Sequence, residues 1–205
     1  MTLGSPLDTL AVRVAARVSC TTAEGPHARY ALWVQGCSLR CRGCCNPEMF
    51  DAAGPLLSVA TLIDEVEQAA HDEGIEGITL LGGEPVDQAE PLVELCARLR
   101  ARGLGVLLFS GYTRDEMLAR PGGAALWNVV DTLVDGRFDA TQREGPEGRR
   151  FIGSRNQQLH HRTERYAAPA LWEGAARVEV HVDADGRVHA HGFPAPLQAL
   201  LRALR

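Results

Sequence analysis

Lysine is absent from this chain of 205 residues, and every one of its 21 basic side chains is arginine. Chemistry that proceeds through a lysine Schiff base is therefore excluded. Acidic residues number 26, so the formal net charge is −5. This negative balance gives no support to nucleic-acid binding by bulk electrostatics, and we expect no nucleic-acid partner.

Long hydrophobic runs are missing as well. No stretch approaches the ~18 consecutive apolar residues needed to cross a bilayer, and residues 1–10 lack a basic segment followed by an apolar run. We therefore expect a cytoplasmic protein that does not associate with a membrane. A reducing cytosol disfavours structural disulfides, so cysteines that cluster in such a protein are more often metal ligands or redox groups.

The length of the chain and its hydrophobic content of 45% predict one α/β domain over residues 1–205. Strand-like and helix-like segments alternate, which predicts a parallel sheet whose strand ends line one edge, where ligands bind. The helix over 57–74 begins at Ser58 and ends at Gly74. The other predicted helices are 88–103 and 114–120, and the predicted strands are 30–36, 77–83, 105–111 and 129–136.

Three further segments flank this repeat. Residues 10–20 have the pattern of a strand, 176–192 that of a hairpin turning at Asp185–Gly186, and 195–205 that of an amphipathic helix. We expect the strand and the hairpin to join the main sheet and the helix to cover one of its faces or edges. The core would then be about 28–160, with a C-terminal extension over about 170–205.

Four of the six cysteines lie in the stretch "GCSLRCRGCCNP". Three thiolates at Cys37, Cys41 and Cys44 can hold three irons of a cubane cluster, which leaves the fourth iron open to a substrate or cofactor. A structural zinc site needs a fourth ligand, for which the adjacent Cys45 is badly placed. Zinc with a distant ligand such as Cys20 or a histidine stays open, and a disulfide knot ranks third.

The stretch "LLGGEP" follows the second strand of the repeat. Its paired glycines, Gly82 and Gly83, allow backbone to approach a ligand closely, and Glu84 offers a carboxylate to an ammonium group. A plain turn between a strand and a helix would explain this motif if it stood alone.

Together the two motifs resemble the radical S-adenosylmethionine superfamily, which carries C-x3-C-x2-C after the first strand and Gly-Gly-Glu after the second. Within it the chain is similar to the activating proteins of glycyl radical enzymes, in particular those of anaerobic ribonucleoside-triphosphate reductase. The stretches that carry this closer resemblance are "EGPHARYALWVQGC", "CRGCCNP", "FSGYTRDEM", "DTLVDGRF" and "GSRNQ".

The resemblance implies an incomplete, TIM-like β/α barrel of parallel strands and a single radical S-adenosylmethionine domain. It implies a [4Fe–4S] cluster on Cys37, Cys41 and Cys44, with S-adenosylmethionine bound to the remaining iron. The residues implied to contact that cofactor are Gly43, Cys45, Gly82, Gly83, Glu84, Pro85 and Ser110. The implied partners are a glycyl radical enzyme and an electron donor of the flavodoxin or ferredoxin type.

Several positions depart from the family pattern or receive another interpretation. Glu24 and His27 replace an aspartate and a glycine, and Cys45 stands where the family usually has histidine. Two alternatives therefore stay open: a radical enzyme that modifies a peptide or small molecule directly, and a zinc-stabilised binding module.

We interpret Trp33 as strand packing. Other residues without an assigned function are Cys20 and Cys96, interpreted as buried hydrophobes, His160 and His161, and the hairpin's His181, His189 and His191, expected on an exposed face.

Overall fold

The computed structural model describes residues 9–145, 148–175, 177–182, 185–186 and 188–192. The helix predicted over 195–205 lies outside the described residues.

A seven-stranded sheet forms the centre of the protein. Its strands are β1 (Ala11–Thr21), β2 (Arg29–Val34), β3 (Leu56–Ser58), β4 (Gly77–Gly82), β5 (Gly105–Phe109), β6 (Thr132–Asp135) and β7 (Gln158–His161). They lie in the order β3-β1-β2-β4-β5-β6-β7. The four strands β2, β4, β5 and β6 are parallel, whereas β1, β3 and β7 each pair antiparallel with a neighbour. The predicted parallel sheet is confirmed at the centre, and the strands that the structure describes form an open sheet.

Among the described residues, four α-helices accompany these strands: α1 (Val59–Glu73), α2 (Ala89–Ala101), α3 (Arg114–Leu118) and α4 (Gly123–Val129). Helix α1 begins and ends as its sequence predicts. The Ser58 hydroxyl accepts a hydrogen bond from the Thr61 amide at 3.0 Å, and Gly74 ends the helix in the left-handed conformation, φ +66°. Within the described ranges, no helix is long and apolar enough to cross a membrane.

The hairpin is present but does not join the main sheet. Strands β8 (Val178–Val182) and β9 (Val188–Gly192) pair antiparallel and form a separate two-stranded sheet. The expectation that the hairpin extends the main sheet is therefore wrong. The hairpin packs instead through Glu179 on Thr22 and through His191 on Trp33. At the far end of the main sheet, β6 pairs with β7, a strand that the sequence did not predict. The sequence also missed β3 and α4, which are short.

The two faces of the sheet are covered differently. Val106, Leu108 and Leu133 belong to the main core, which also contains buried residues of all four helices. Leu107 and Val134 point to the opposite face and pack with residues from the segment that follows β6. Because side chains alternate along a strand, one face is covered by helices and the other stays available for a cavity.

A buried arginine at the start of β2 bonds backbone carbonyls at the N-terminal ends of β4 and β5. Arg29 is fully buried, and its Nε donates to Thr79 Oγ1 at 2.7 Å. Its two Nη atoms donate to Tyr166 Oη at 2.8 Å, Glu76 Oε2 at 3.0 Å and the Ile78 carbonyl at 2.7 Å. A buried guanidinium is tolerated because its donors are matched by acceptors, so its removal leaves several buried groups unpaired.

We predict that Arg29→Met lowers the free energy of unfolding by about 3 kcal/mol, because the acceptors around it lose their donor. The melting temperature should fall by roughly 6–12 °C for a chain of this size. Arg98→Met is the control: the Arg98 side chain is 57% exposed and pairs with Glu94 on the surface of α2, so its loss should cost at most about 1 kcal/mol. Equal melting temperatures for the two variants in thermal denaturation would contradict this role.

Candidate active site

The loops that follow β2 and β4 meet through their backbones. The Gly83 amide donates to the Val34 carbonyl at 2.8 Å, and the Glu84 amide donates to the Gly36 carbonyl at 2.8 Å. Both bonds lie just beyond the last residues of the two strands. They fix the Gly-Gly-Glu segment against the start of the cysteine loop.

The two glycines are required by this contact. A β-carbon at Gly83 would lie 2.3 Å from the Gly36 carbonyl oxygen, and one at Gly82 would lie 2.8 Å from the Trp33 Cα. Gly82 also has φ +103°, which favours glycine. The close approach that the sequence predicted for a ligand is therefore, in the first place, an approach between two loops of the protein.

Glu84 connects this segment to the loop after β5. Its side chain is buried, and its Oε1 accepts hydrogen bonds from the Val86 amide at 2.9 Å and the Ser110 hydroxyl at 2.8 Å. Its Oε2 accepts from the Gly111 amide at 2.8 Å. Burial raises the pKa of Glu84 to about 7 although these three donors favour the carboxylate. The carboxylate thus joins two loops at the C-terminal edge of the sheet.

The cysteine loop closes on itself. The Gly36 amide donates to the Met49 carbonyl at 2.9 Å, and the Cys37 amide donates to the Phe50 carbonyl at 3.0 Å. Between these ends, the Cys44 amide donates to the Cys41 carbonyl at 3.2 Å and closes a turn through Gly43, which has φ +78°. Gly43 therefore shapes the turn that separates Cys41 from Cys44.

Asp87 and Tyr112 anchor the start of the loop, and neither was predicted as a site residue. Asp87 Oδ2 accepts a hydrogen bond from the Ser38 amide at 2.9 Å, and its Oδ1 accepts from the Tyr112 hydroxyl at 3.2 Å. The Tyr112 hydroxyl also lies 2.7 Å from Ser38 Oγ. These bonds hold the residue next to Cys37 against the loops that follow β4 and β5.

A cavity of about 650 Å³ opens on the face of the sheet opposite the helices, in the size range of small-molecule sites. All three cysteines of the motif line it, together with Cys45, Gly82, Gly83, Glu84 and Ser110. Gly43 and Pro85 are not among its lining residues: Gly43 is an exposed turn residue, and Pro85 is buried where it begins the short helix Pro85–Gln88. Lining residues outside the predicted set of site residues include Glu24, Phe109, Phe138 and His191.

The thiols differ in their acidity. Burial raises the pKa of Cys37 and of Cys41. A hydrogen bond from the adjacent Cys45 thiol lowers the pKa of Cys44 to about 6, and the same bond raises the pKa of Cys45. Because metals bind the thiolate, Cys44 is the thiol most readily available as a ligand near neutral pH.

The donor set fits an iron–sulfur cluster. Three thiols on one closed loop face a single cavity, which suits a cubane with one iron left open. Among the described residues, no three His, Cys, Asp or Glu side chains are grouped to hold a single metal ion. A cubane does not require its ligands to converge on one atom, because each thiolate binds a different iron.

Glu24 and His191 are neighbouring residues of the cavity lining. The Glu24 carboxylate lies 3.4 Å from His191 Nδ1, and burial raises the pKa of Glu24. His191 is 9% exposed and its ring contacts Trp33 edge-on, with centroids 5.7 Å apart. The expected exposed position of the hairpin histidines is therefore wrong for His191, because the hairpin packs on Trp33. The interpretation of Trp33 as strand packing is confirmed, and its ring also lines the cavity.

The replacement of glycine by histidine at His27 does not remove the turn. His27 has φ +63°, the left-handed conformation that glycine adopts readily and that histidine tolerates at some energetic cost. The side chain is exposed, so it fits there without a clash.

The two cysteines outside the cysteine loop, and the two histidines of β7, contribute to packing and hydrogen bonding within the fold. Cys96 is fully buried in α2 among core residues, as predicted, whereas Cys20 is only partly buried and packs against the same core. His160 Nε2 lies 2.9 Å from Asp135 Oδ2, and His161 Nδ1 lies 2.9 Å from Thr132 Oγ1.

The fold and the site together define an iron–sulfur protein of the α/β class. The profile of the 4Fe-4S single cluster domain family matches residues 23–160, which include the cysteine loop and the whole parallel part of the sheet. The chain belongs to this family. Through the relatives described next, it also belongs to the activating proteins of the radical S-adenosylmethionine type.

The relatives are activating proteins. The anaerobic ribonucleoside-triphosphate reductase-activating protein of Escherichia coli is 32% identical over 147 residues, which cover 67% of this chain and 91% of the relative. The protein of that name from Vibrio cholerae is 30% identical over 143 residues, covering 67% and 90%. The pyruvate formate-lyase-activating enzyme of Staphylococcus aureus is 35% identical over 94 residues, covering 44% and 38%.

We predict that Glu84→Gln destabilises the protein by about 1–3 kcal/mol, because its amide group would meet the Gly111 amide with a second donor. The raised pKa adds a dependence on pH. The stability that protonated Glu84 contributes is complete below its unfolded pKa of 4.5 and is lost as pH rises through about 7. The deficit in unfolding free energy of the variant, relative to the unaltered protein, should therefore be larger at pH 5 than at pH 8.

Urea unfolding followed by circular dichroism at both pH values measures this deficit. Glu90→Gln is the matched control, because Glu90 is exposed on α2. A deficit that is the same at both pH values would show that Glu84 does not titrate in this range.

Proposed function

We propose that this protein is an activating enzyme that generates a glycyl radical on a separate partner protein. The observation that carries the proposal is that the three motif cysteines and the Gly-Gly-Glu loop line one cavity. Cys37, Cys41 and Cys44 would bind a [4Fe–4S] cluster, and S-adenosylmethionine would occupy the space beside the open iron. The domain would extend over residues 1–205 as a partial β/α barrel, with its core over about 28–160.

When bound, the cluster and S-adenosylmethionine together supply a one-electron cleavage of the sulfonium to methionine and a 5′-deoxyadenosyl radical. The chain itself supplies position and shelter. Its cysteine loop is fixed by backbone bonds at both ends and by Asp87. A fixed loop holds the reacting atoms at a constant distance, which is the protein's main contribution to a reaction of this type.

Glu84 and the backbone beside it would receive the amino end of S-adenosylmethionine. Three of the about four acceptor sites of a carboxylate are occupied by protein donors, which leaves one for an ammonium group. Ser110 would act by orienting Glu84, since its hydroxyl donates to Oε1 at 2.8 Å. Gly43 and Pro85 would act through the shapes of their loops, and Cys45 through its place on the cavity wall.

The names of the relatives support the type of partner. They are named for activating anaerobic ribonucleoside-triphosphate reductase and pyruvate formate-lyase. For this chain we propose a glycyl radical enzyme as partner, a flavodoxin- or ferredoxin-type protein as electron donor, and a cytoplasmic location. The radical would take one hydrogen atom from a glycine Cα of the partner, giving 5′-deoxyadenosine and a glycyl radical.

We predict that anaerobic reconstitution loads one [4Fe–4S] cluster per chain and that Cys41→Ala abolishes it, because two thiolates on the loop are too few to hold a cubane. Cys96→Ala is the matched control: its thiol is fully buried in α2, so this variant should keep the cluster. Iron and sulfide analysis with the visible absorbance spectrum measures the result. Stoichiometric zinc without iron–sulfur absorbance would favour the zinc-binding alternative.

We predict that the reduced protein, mixed anaerobically with S-adenosylmethionine and a glycyl radical enzyme of the same organism, produces a glycyl doublet in electron paramagnetic resonance. Deuteration of the partner's glycine at Cα should collapse the doublet splitting, and the deuterium should appear in 5′-deoxyadenosine. Cleavage of S-adenosylmethionine without a doublet on any such partner would instead favour direct modification of a peptide or small molecule.

A further inference from the structure

The hairpin β8–β9 lies outside residues 23–160, the part of the chain that the family profile matches. The structure nevertheless places it at the cavity, where Ala190, His191 and Gly192 form part of the lining. This wall is therefore contributed by a segment that lies outside the matched residues.

Two contacts seat the hairpin against the loop that precedes β2. Glu179 Oε1 accepts hydrogen bonds from the Thr22 amide at 2.9 Å and the Thr22 hydroxyl at 2.8 Å. A β-carbon at Gly192 would lie 2.4 Å from the Arg177 carbonyl oxygen and 3.2 Å from Ala23 Cβ, so the end of β9 is packed closely there.

His191 occupies the centre of this contact. Its Nδ1 lies 3.4 Å from Glu24 Oε1 and its Nε2 lies 3.7 Å from Glu179 Oε2. Its ring packs edge-on against Trp33, the β2 residue that also lines the cavity. One imidazole therefore bridges the hairpin, the loop before β2 and the sheet itself.

A hairpin that only covered a hydrophobic core would bury its valines and expose its polar side chains, and this hairpin does the reverse. Val180 is 46% exposed and Val182 is 66% exposed, whereas Glu179 and His191 point inward. Burying polar groups and exposing valines is unfavourable for stability alone. Such an inversion is expected where a segment serves a polar site.

We propose that the hairpin β8–β9 is an added wall of the reaction cavity, that His191 positions this wall, and that the wall excludes water and small hydrogen donors such as thiols. The proposal rests on the proposed function, because a highly reactive radical is protected only if the cavity denies it other hydrogen sources. His191 is a positioning residue here, since it acts through the hairpin.

The test uses the full-length, cluster-loaded protein. In His191→Ala, amide hydrogen exchange over residues 178–192 should accelerate by roughly fivefold or more, the change expected for the loss of about 1 kcal/mol of local stability. Without any partner protein, but with S-adenosylmethionine, reductant and dithiothreitol, the variant should form 5′-deoxyadenosine faster than the unaltered protein. His191→Gln, which keeps a hydrogen-bonding side chain of similar length, should restore part of both effects.

Val182→Ser is the matched control on the outer face of the same hairpin and should change neither measurement. Unchanged exchange in His191→Ala would overturn the positioning role, and faster exchange with an unchanged partner-free rate would overturn the exclusion of small donors. If the unaltered protein cleaves no S-adenosylmethionine even when a glycyl radical enzyme of the same organism is added, the proposed function fails. The exchange measurement needs no turnover and then decides the position of the wall by itself.

Discussion

The backbone contact between the ends of β2 and β4 is the constraint on which the site depends. The amides of Gly83 and Glu84 donate to the carbonyls of Val34 and Gly36, and both glycines lack the β-carbon that would separate the two loops. The same contact aims the Glu84 side chain at Ser110 and Gly111 in the loop after β5. Three consecutive loops of the parallel sheet are thereby joined at the edge where the cysteine loop begins.

The parallel core could be predicted from the sequence because each of its elements has a local signal. The buried strands are continuous apolar runs, and α1 has an N-terminal serine and a C-terminal glycine. Strand β7 has no such signal: its sequence "QLHH" is short and polar, and its pairing with β6 depends on chain segments that lie apart in sequence. The hairpin was recognised from its turn, but its position depends on contacts such as Thr22–Glu179, which join residues 157 apart.

The residues of the candidate site also divide into those that have a local sequence motif and those that have none. Cysteine spacing and the Gly-Gly-Glu motif are local, so most of the predicted residues do line the cavity. Asp87 and Tyr112 carry no motif of their own, and their hydrogen bonds to Ser38 span 49 and 74 residues. Glu84 shows a subtler difference, since the sequence predicts a carboxylate for a ligand whereas the structure gives most of its acceptor sites to the protein. Residue type predicts chemistry better than it predicts which partner a group serves.

The two edges of the parallel sheet have different physical tasks. At the N-terminal edge, Arg29 bonds acceptors in β4, in β5 and at Tyr166, in a buried network that serves stability. At the C-terminal edge, unfavourable features accumulate: a buried carboxylate with a raised pKa, and the positive φ angle of Arg40 in the cysteine loop. Strained and desolvated groups persist only where the surrounding structure holds them. At the C-terminal edge that support comes from the hydrogen bonds that Glu84 accepts from Val86, Ser110 and Gly111.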